Sequence, residues 1–262
     1  MTSTSNVEIN FSNITSAIAK ASEQKAVMAF LPENFHYMRS KEPFDYQPLK
    51  GPAIQSYQKL AKMHDIWLSL GGFQEKILGS PKFYNTHLII DNKGEIKSTY
   101  RKIHLFDVDI DTKNSVKESQ FVEPGAIDPI VVDSPLGRLG LSICYDLRFP
   151  ELYRKEVIEM KADFLIIPAA FLVPTGKAHW ELLLRARAIE NTCFVIAAAQ
   201  CGKHNDNRSS YGHSMVVDPW GDVLIDMKEE VGVGVAEIDV ERINEIRRKL
   251  PCLDHQRIMF QK

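Results

Sequence analysis

The sequence has few cysteines and almost no excess charge, and both features limit what the protein can be. Its 262 residues include four cysteines, at positions 144, 193, 201 and 252, and they form no Cys-x-x-Cys pair. A disulfide framework or a structural zinc site is therefore not expected, and a reducing, cytoplasmic compartment fits. The formal net charge is −2, without a run of lysines or arginines. Neither a nucleic acid nor a membrane is therefore an expected partner.

Long apolar segments and the usual metal and phosphate motifs are missing as well. No apolar run approaches the ~20 residues that a membrane-spanning helix needs, and the first six residues lack the apolar core of a secretory signal. The eight histidines form no His-x-x-x-His pair, so no metal is expected. The stretch from Thr175 to Lys177 lacks the upstream glycine of a phosphate loop. No cofactor is therefore expected.

The most informative stretch of the chain surrounds Cys144. Residues 139–143 are short and apolar, which predicts a buried strand, and Pro150 suits the first position of a following helix. The Cys144 thiol lies at the turn between them, where neighbouring backbone N–H groups can stabilise a developing negative charge. This stretch alone leaves two interpretations open, a catalytic nucleophile and an ordinary small buried residue.

The rest of the chain alternates strands with helices and adds hairpins, which predicts an α/β fold with a mixed sheet and outer helices. No linker or repeat interrupts residues 1–262, so one domain is expected, with a size that suits two packed sheets. The polar stretch 103–127 has little periodicity, and loops this long are usually functional or disordered. Strands are predicted at 26–31, 66–71, 163–168, 193–199 and 231–240, hairpins at 84–100, 130–143 and 214–226, and helices at 10–25, 52–63, 150–160, 179–191 and 241–250.

Four polar residues, Glu33, Lys102, Glu118 and Cys144, contain the parts of a hydrolytic site. Each has an ordinary alternative, such as a helix cap, a solvated hairpin end, a loop acid or a core thiol. Together they supply a base for the thiol proton, a cation for an oxyanion and an acid for a leaving nitrogen. The combination predicts thiol attack on an amide or a nitrile without a metal.

Five stretches, in this order, resemble the nitrilase superfamily of Glu-Lys-Cys amide hydrolases over essentially the whole chain. They are FLPEN (30–34), YRKIHLFD (100–107), GLSICYDLRFPEL (140–152), HWELLLRARAIEN (179–191) and YGHSMVVDPWG (211–221). The resemblance implies an α/β fold in the form of a four-layer α-β-β-α sandwich. It also implies that the usual first strand, which ends near residues 1–5, is missing. A chain extended upstream by about ten residues is then expected to have the higher melting temperature.

The resemblance also implies a role for each residue of the catalytic set. Glu33 matches the general base, Lys102 the catalytic lysine and Cys144 the nucleophile. Glu118 matches a second glutamate that orients Lys102 and the substrate amide. The backbone N–H of Tyr145 is expected to hold the oxyanion together with Lys102.

Within the superfamily, the run after Cys144 resembles the Nit branch, which cleaves terminal amides of α-keto acid-like glutamine derivatives. Arg148 matches the position that pairs with the substrate carboxylate, and its alternative role is an ion pair with Glu151 or another acid. Phe171 and Thr175 fall where that branch lines its pocket. Nit-branch proteins commonly dimerise, so a homodimer is expected. The tail at 251–262 would pack on the partner or fold back on its own chain.

The run 197–204, followed by Arg208, resembles the deaminated glutathione amidases of that branch. This implies a small-molecule amide substrate that yields α-ketoglutarate and cysteinylglycine, with the leaving amine resting near Gln200 and His204. ω-Amidase action on α-ketoglutaramate, and hydrolysis of a carbamoyl amide or a nitrile, remain the alternatives. A non-catalytic scaffold is disfavoured because Glu33, Lys102 and Cys144 are all present.

Overall fold

Two β-sheets pack face to face between helices in the computed structural model, which describes residues 1–40, 44, 46–109 and 115–258. One core lies between the first sheet and helices α1 (Val7–Glu23) and α2 (Pro52–His64). A larger core joins the second sheet to helices α3 (Pro150–Ile158) and α4 (Val173–Asn191) and reaches residues of the first sheet. The layers therefore follow the order α-β-β-α, which confirms the predicted sandwich.

The first sheet has four strands, in the spatial order β1-β2-β3-β4. They are β1 (Met28–Leu31), β2 (Trp67–Lys76), β3 (Phe83–Ile90) and β4 (Ile96–Arg101). β1 is parallel to β2, whereas β2 and β3, and β3 and β4, are antiparallel. The chain therefore leaves β1 and β4 at the same end of the sheet, and the next residues include Glu33 and Lys102.

The second sheet has six strands, in the order β14-β13-β10-β9-β8-β7. They are β7 (Val131–Ser134), β8 (Gly137–Leu141), β9 (Phe164–Ile166), β10 (Phe194–Ala197), β13 (Met215–Val217) and β14 (Val223–Asp226). β8, β9 and β10 are parallel neighbours. Their carboxyl ends form the edge where ligands of such sheets usually bind, and β8 delivers Cys144 to it.

Two short hairpins lie outside the main sheets, and the sequence analysis predicted neither of them. One consists of β5 (Asp107–Asp109) and β6 (Ser115–Lys117), and a 3₁₀ turn at Glu118–Gln120 follows it. The other consists of β11 (Cys201–Asn205) and β12 (Arg208–Tyr211). Their strands are short and polar, so they lack the apolar alternation that identifies a strand in a sequence.

The strand predicted at 231–240 is wrong, because the structure forms no strand there. A strand requires hydrogen bonds to a neighbouring strand, and this segment pairs with none of the described strands. Gly232 and Gly234 also lie in it, and glycine weakens the interior of a strand. The predicted helix at 241–250 follows the segment as α5 (Glu241–Lys249).

Helix ends depend on local residues that the apolar pattern does not show. α1 begins after Asn6, whose side chain accepts a hydrogen bond from the backbone N–H of Ile9 at 3.0 Å. α4 begins at Val173, before the predicted start at 179, because Pro174 suits the first turn of a helix. Within the described residues, no helix is long and apolar enough to cross a bilayer. Near the C terminus Ile258 is exposed, and Met259 and Phe260 lie outside the described residues.

Candidate active site

A cavity opens where the ends of β1, β4, β8 and β9 meet, and it encloses about 850 Å³ including its mouth. The sheet topology brings together residues that are far apart in sequence. Eight residues with a site role predicted from the sequence line the cavity: Glu33, Lys102, Glu118, Cys144, Tyr145, Arg148, Phe171 and Thr175.

Lys102 is the cation at the centre of this cavity. Its Nζ lies 3.2 Å from Glu33 Oε1 and 2.8 Å from Glu118 Oε2, and the residue is 2% exposed. Burial alone would lower the pKa of Lys102, but the charges of Glu118 and Glu33 outweigh it and raise that pKa well above its ordinary value. Lys102 is therefore a fixed positive charge.

Glu33 is a buried carboxylate that stays ionised. Its Oε1 accepts hydrogen bonds from Lys102 and from the amide of Asn85 at 2.9 Å, and its Oε2 accepts one from the backbone N–H of Ala170 at 3.1 Å. Burial pushes its pKa upward, but the Lys102 ammonium and a hydrogen bond from the Cys144 thiol hold that pKa below its ordinary value. The carboxylate is therefore free to accept a proton.

Glu118 supports Lys102 from the other side. Both of its oxygens accept from the ammonium, and Oε2 also accepts from the backbone N–H of Phe106 at 2.6 Å. The amide of Asn85 also donates to Oε1, at 3.4 Å. Because three different groups hold this carboxylate, it keeps the ammonium in one place.

Cys144 begins the 3₁₀ turn Cys144–Arg148 in a backbone conformation that non-glycine residues seldom adopt. Its φ is +49°, and its N–H donates to the Pro168 carbonyl at 2.8 Å. Burial and the nearby Glu33 charge raise the pKa of the thiol well above its ordinary value. The sulfur therefore rests as a thiol, and it needs a base in order to react.

The backbone N–H of Tyr145 is positioned for a second role next to the sulfur. It lies in the first turn of a 3₁₀ segment, where N–H groups have no partner within the segment. In the described part of the chain it donates to no acceptor. The N–H can therefore bind an oxyanion that forms beside Cys144.

Asp146 links the lysine segment to the cysteine turn. Its Oδ2 accepts from the Tyr100 hydroxyl at 2.7 Å and from the Ile143 N–H at 2.8 Å. Its Oδ1 accepts from the backbone N–H of His104 at 3.1 Å and contacts the His104 ring nitrogen Nδ1 at 2.7 Å. Tyr100 and His104 flank Lys102, so a single buried carboxylate holds both segments in register.

Arg148 is the cation of the adjoining wall. Its guanidinium carbon lies 5.5 Å from the centre of the Phe171 ring, and both terminal nitrogens lie 3.4 Å from His179 Nδ1. Among the described residues it forms no ion pair with Glu151 or with another acid, so the structural alternative for Arg148 is not observed. The guanidinium remains available to an anionic ligand.

Gln200 and His204 lie behind the cavity and do not line it. Gln200 donates to the Ser3 hydroxyl at 2.7 Å and to the Glu33 carbonyl at 3.0 Å. His204 contacts the Ser3 carbonyl at 2.8 Å through Nδ1 and the Ser210 hydroxyl at 2.8 Å through Nε2. Their polar atoms are therefore used within the chain. Gln200 supports Glu33 from behind, and His204 holds Ser3, which contacts Gln200.

Several cavity residues have no site role that is predicted from the sequence, among them Arg39, Asn85 and Arg208. Asn85 lies inside β3, where nothing in the neighbouring sequence distinguishes it from an amide on the surface. Arg208 belongs to the β11–β12 hairpin, which the apolar pattern of the sequence does not predict. In both cases the residue type is visible in the sequence, but the backbone path that brings the side chain to the cavity is not.

Comparison with known proteins agrees with this geometry. A model of the carbon-nitrogen hydrolase family matches residues 1–248. The chain belongs to the carbon-nitrogen hydrolase family. It is 49% identical to the deaminated glutathione amidase of Dictyostelium discoideum over 98% of this chain and 92% of that protein. It is 44% identical to the mouse protein of the same name over 98% of this chain and 81% of that protein.

A solved structure supports the same assignment. The crystal structure of the Caenorhabditis elegans NitFhit protein covers 98% of this chain with a TM-score of 0.89 and 45% identity. This chain spans 63% of that longer protein. The sandwich is therefore shared with a relative of clear sequence similarity.

As a carbon-nitrogen hydrolase, the protein needs a nucleophile, a proton carrier and a charge that stabilises an oxyanion. The cavity offers a thiol, an ionised carboxylate and a fixed ammonium within one network of contacts. In the part of the chain that the structure describes, no group of three or more His, Cys, Asp or Glu side chains is arranged to hold a metal ion. The network alone can support acyl transfer through sulfur.

Proposed function

We propose that this carbon-nitrogen hydrolase cleaves the amide bond of deaminated glutathione and releases α-ketoglutarate and cysteinylglycine. The observation that carries the proposal is the convergence of Cys144, Glu33 and Lys102 in a cavity that also presents Arg148, a partner for a carboxylate. The relatives named deaminated glutathione amidase support the choice of substrate.

The first half of the proposed reaction forms a thioester. Glu33 takes the proton from the Cys144 thiol while the sulfur attacks the amide carbon. The ammonium of Lys102 and the N–H of Tyr145 stabilise the negative charge on the carbonyl oxygen. Glu33 then gives its proton to the leaving nitrogen, the C–N bond breaks, and cysteinylglycine departs.

The second half hydrolyses the thioester. Glu33 takes a proton from water, and the resulting hydroxide attacks the thioester carbon, with the same two groups at the oxyanion. The C–S bond breaks, the proton returns to sulfur, and α-ketoglutarate is released. Glu118 does not exchange protons in this scheme, because its role is to hold Lys102 in place.

The substrate groups also have proposed positions. Arg148 binds the carboxylate of the α-keto acid through its fork of donors. Phe171 and Thr175 shape the wall beside it. Gln200 and His204 do not touch the leaving amine in this scheme. They act indirectly, because Gln200 holds Ser3 and the Glu33 backbone and His204 holds Ser3.

The test measures α-ketoglutarate release from deaminated glutathione and, separately, from α-ketoglutaramate. We expect faster release from deaminated glutathione, and no release by Cys144→Ala protein whose circular dichroism matches the wild type. Faster release from α-ketoglutaramate would retain the mechanism and make the protein an ω-amidase. Release from neither would reject both substrates and direct the search to carbamoyl amides and nitriles.

We also propose that the protein works as a cytoplasmic homodimer. This proposal rests on the resemblance to the Nit branch and on the lack of paired cysteines. Light scattering of the purified chain measures the mass, and a monomer over the working concentration range would contradict the dimer. Cell fractionation tests the compartment.

A further inference from the structure

Arg208 presents a guanidinium to the cavity that the proposed mechanism does not use. The residue lies on β12 and lines the cavity. One terminal nitrogen donates to the Ala170 carbonyl at 3.3 Å. Its Nε is buried and, within the described residues, has no hydrogen-bond partner. A buried donor without an acceptor is costly unless a ligand supplies one.

The position of Arg208 identifies the half of the substrate that it faces. Ala170 receives the Arg208 contact on its carbonyl and donates its N–H to Glu33 Oε2 at 3.1 Å. Arg208 and Glu33 thus flank the same residue. Because Glu33 must hand its proton to the leaving nitrogen, the amine departs from this side of the cavity.

We infer that Arg208 binds a carboxylate carried by the leaving amine, and that it selects substituted amides with an acidic amine part over primary amides. In deaminated glutathione this carboxylate is the one on glycine, so the choice of substrate rests on the proposed function. A guanidinium suits the task because its donors match the two oxygens of a carboxylate. α-Ketoglutaramate releases ammonia and offers Arg208 nothing to bind.

The first test compares kcat/KM for deaminated glutathione and α-ketoglutaramate in the wild type and in three variants. Arg208→Gln should lower the value for deaminated glutathione about tenfold or more, mainly through KM, which is the effect of one charge-assisted hydrogen bond. The value for α-ketoglutaramate should change little. Arg148→Gln should lower both values, because both substrates carry the α-keto acid.

The matched control is Arg185→Gln, which should change neither value. Arg185 is exposed outside the cavity, where its guanidinium contacts Glu181 and the Gly221 carbonyl. If Arg208→Gln lowered kcat/KM equally for both substrates, Arg208 would act on Glu33 and not on the leaving amine. That result would overturn the inference.

The second test does not depend on hydrolysis. Calorimetry on Cys144→Ala protein compares cysteinylglycine with its neutral amide, cysteinylglycinamide. We expect the carboxylate form to bind about tenfold more tightly, and the preference to disappear when Arg208→Gln is added. Equal affinity, or binding of neither peptide, would overturn the inference. If Cys144→Ala shows this Arg208-dependent preference but the wild type does not hydrolyse deaminated glutathione, the proposed function alone would be rejected.

Discussion

Glu33 and Glu156 are both buried glutamates, yet the protein shifts their pKa values in opposite directions. Glu33 is 2% exposed and Glu156 is 0% exposed. The pKa of Glu33 lies below its ordinary value, whereas burial and the Asp146 charge raise the pKa of Glu156 well above it. The surroundings of Glu33 therefore favour the carboxylate, and those of Glu156 favour the neutral acid.

The difference comes from what surrounds each side chain. Glu33 accepts hydrogen bonds from an ammonium, an amide and a backbone N–H. Neither Glu156 oxygen forms a hydrogen bond of ordinary geometry in the described part of the chain, and the backbone N–H of Leu141 offsets only part of the rise in its pKa. The side chain packs against Gly140, where an added Cβ would lie 2.5 Å from Oε2. Burial alone keeps a carboxyl protonated, so only the paired glutamate can serve as a base.

The largest expected effect comes from neutralising each glutamate in turn. Glu33→Gln should lower kcat for deaminated glutathione by about a thousandfold, because it removes the group that carries the proton in both half-reactions. Glu156→Gln should leave kcat close to the wild type, because burial favours the neutral form of Glu156, which glutamine resembles, and the residue does not line the cavity. The check is to measure kcat from initial rates, using variants whose circular dichroism spectra match that of the wild type. Equal losses in the two variants would contradict the comparison.

Much of the fold could be predicted because its strands and helices carry their own apolar patterns. The hairpin across 84–100 is confirmed as β3 and β4, and helix 150–160 as α3. The strand predicted at 231–240 was wrong for a physical reason. An alternation of apolar residues shows that a segment suits a sheet, but it does not show that a neighbouring strand exists to pair with it. The hairpin at 201–211 was missed because its strands are short and polar.

The candidate catalytic residues could be predicted because three of them follow strands that end at one edge. Glu33 follows β1, Lys102 follows β4 and Cys144 follows β8. The positions of Gln200 and His204 could not be predicted, because nothing in the sequence shows that their side chains bond to Ser3. Glu156 also gave no signal, since a charged residue in a helix normally faces water.

A smaller effect on kcat is expected from replacing Asp146, which influences the surroundings of both Glu33 and Glu156. It positions the segment around Lys102, the partner of Glu33, and its charge contributes to the raised pKa of Glu156. Asp146→Asn replaces an acceptor oxygen by a donor. We expect kcat to fall about thirtyfold with little change in KM, because the lysine shifts while the walls that bind substrate remain.

The control for Asp146 is Asp91→Asn. Asp91 is also buried and also accepts two backbone N–H groups, at 2.9 and 2.8 Å, but it lies in the turn between β3 and β4 and does not line the cavity. Its variant should lose stability without losing kcat at a temperature where it is folded. If both variants lost kcat equally, the effect of Asp146 would be general destabilisation and not positioning.

The smallest expected effect is on stability, and it has opposite signs for the two glutamates. Because the folded-state pKa of Glu156 is raised, the folded chain keeps a proton that the unfolded chain releases above the ordinary pKa of 4.5. Its contribution is therefore fully present below pH 4.5 and is lost as pH rises, by about 1.4 kcal/mol of unfolding free energy per pH unit. Glu33, whose pKa is lowered, contributes stability that is lost as pH falls through its folded-state pKa. Glu156→Met removes the titration, so in urea unfolding its free energy of unfolding should rise relative to the wild type as pH increases from 5 to 8, by up to about 1.4 kcal/mol per pH unit. A difference that does not change with pH would mean that Glu156 is already ionised in the folded chain, and the contrast with Glu33 would fail.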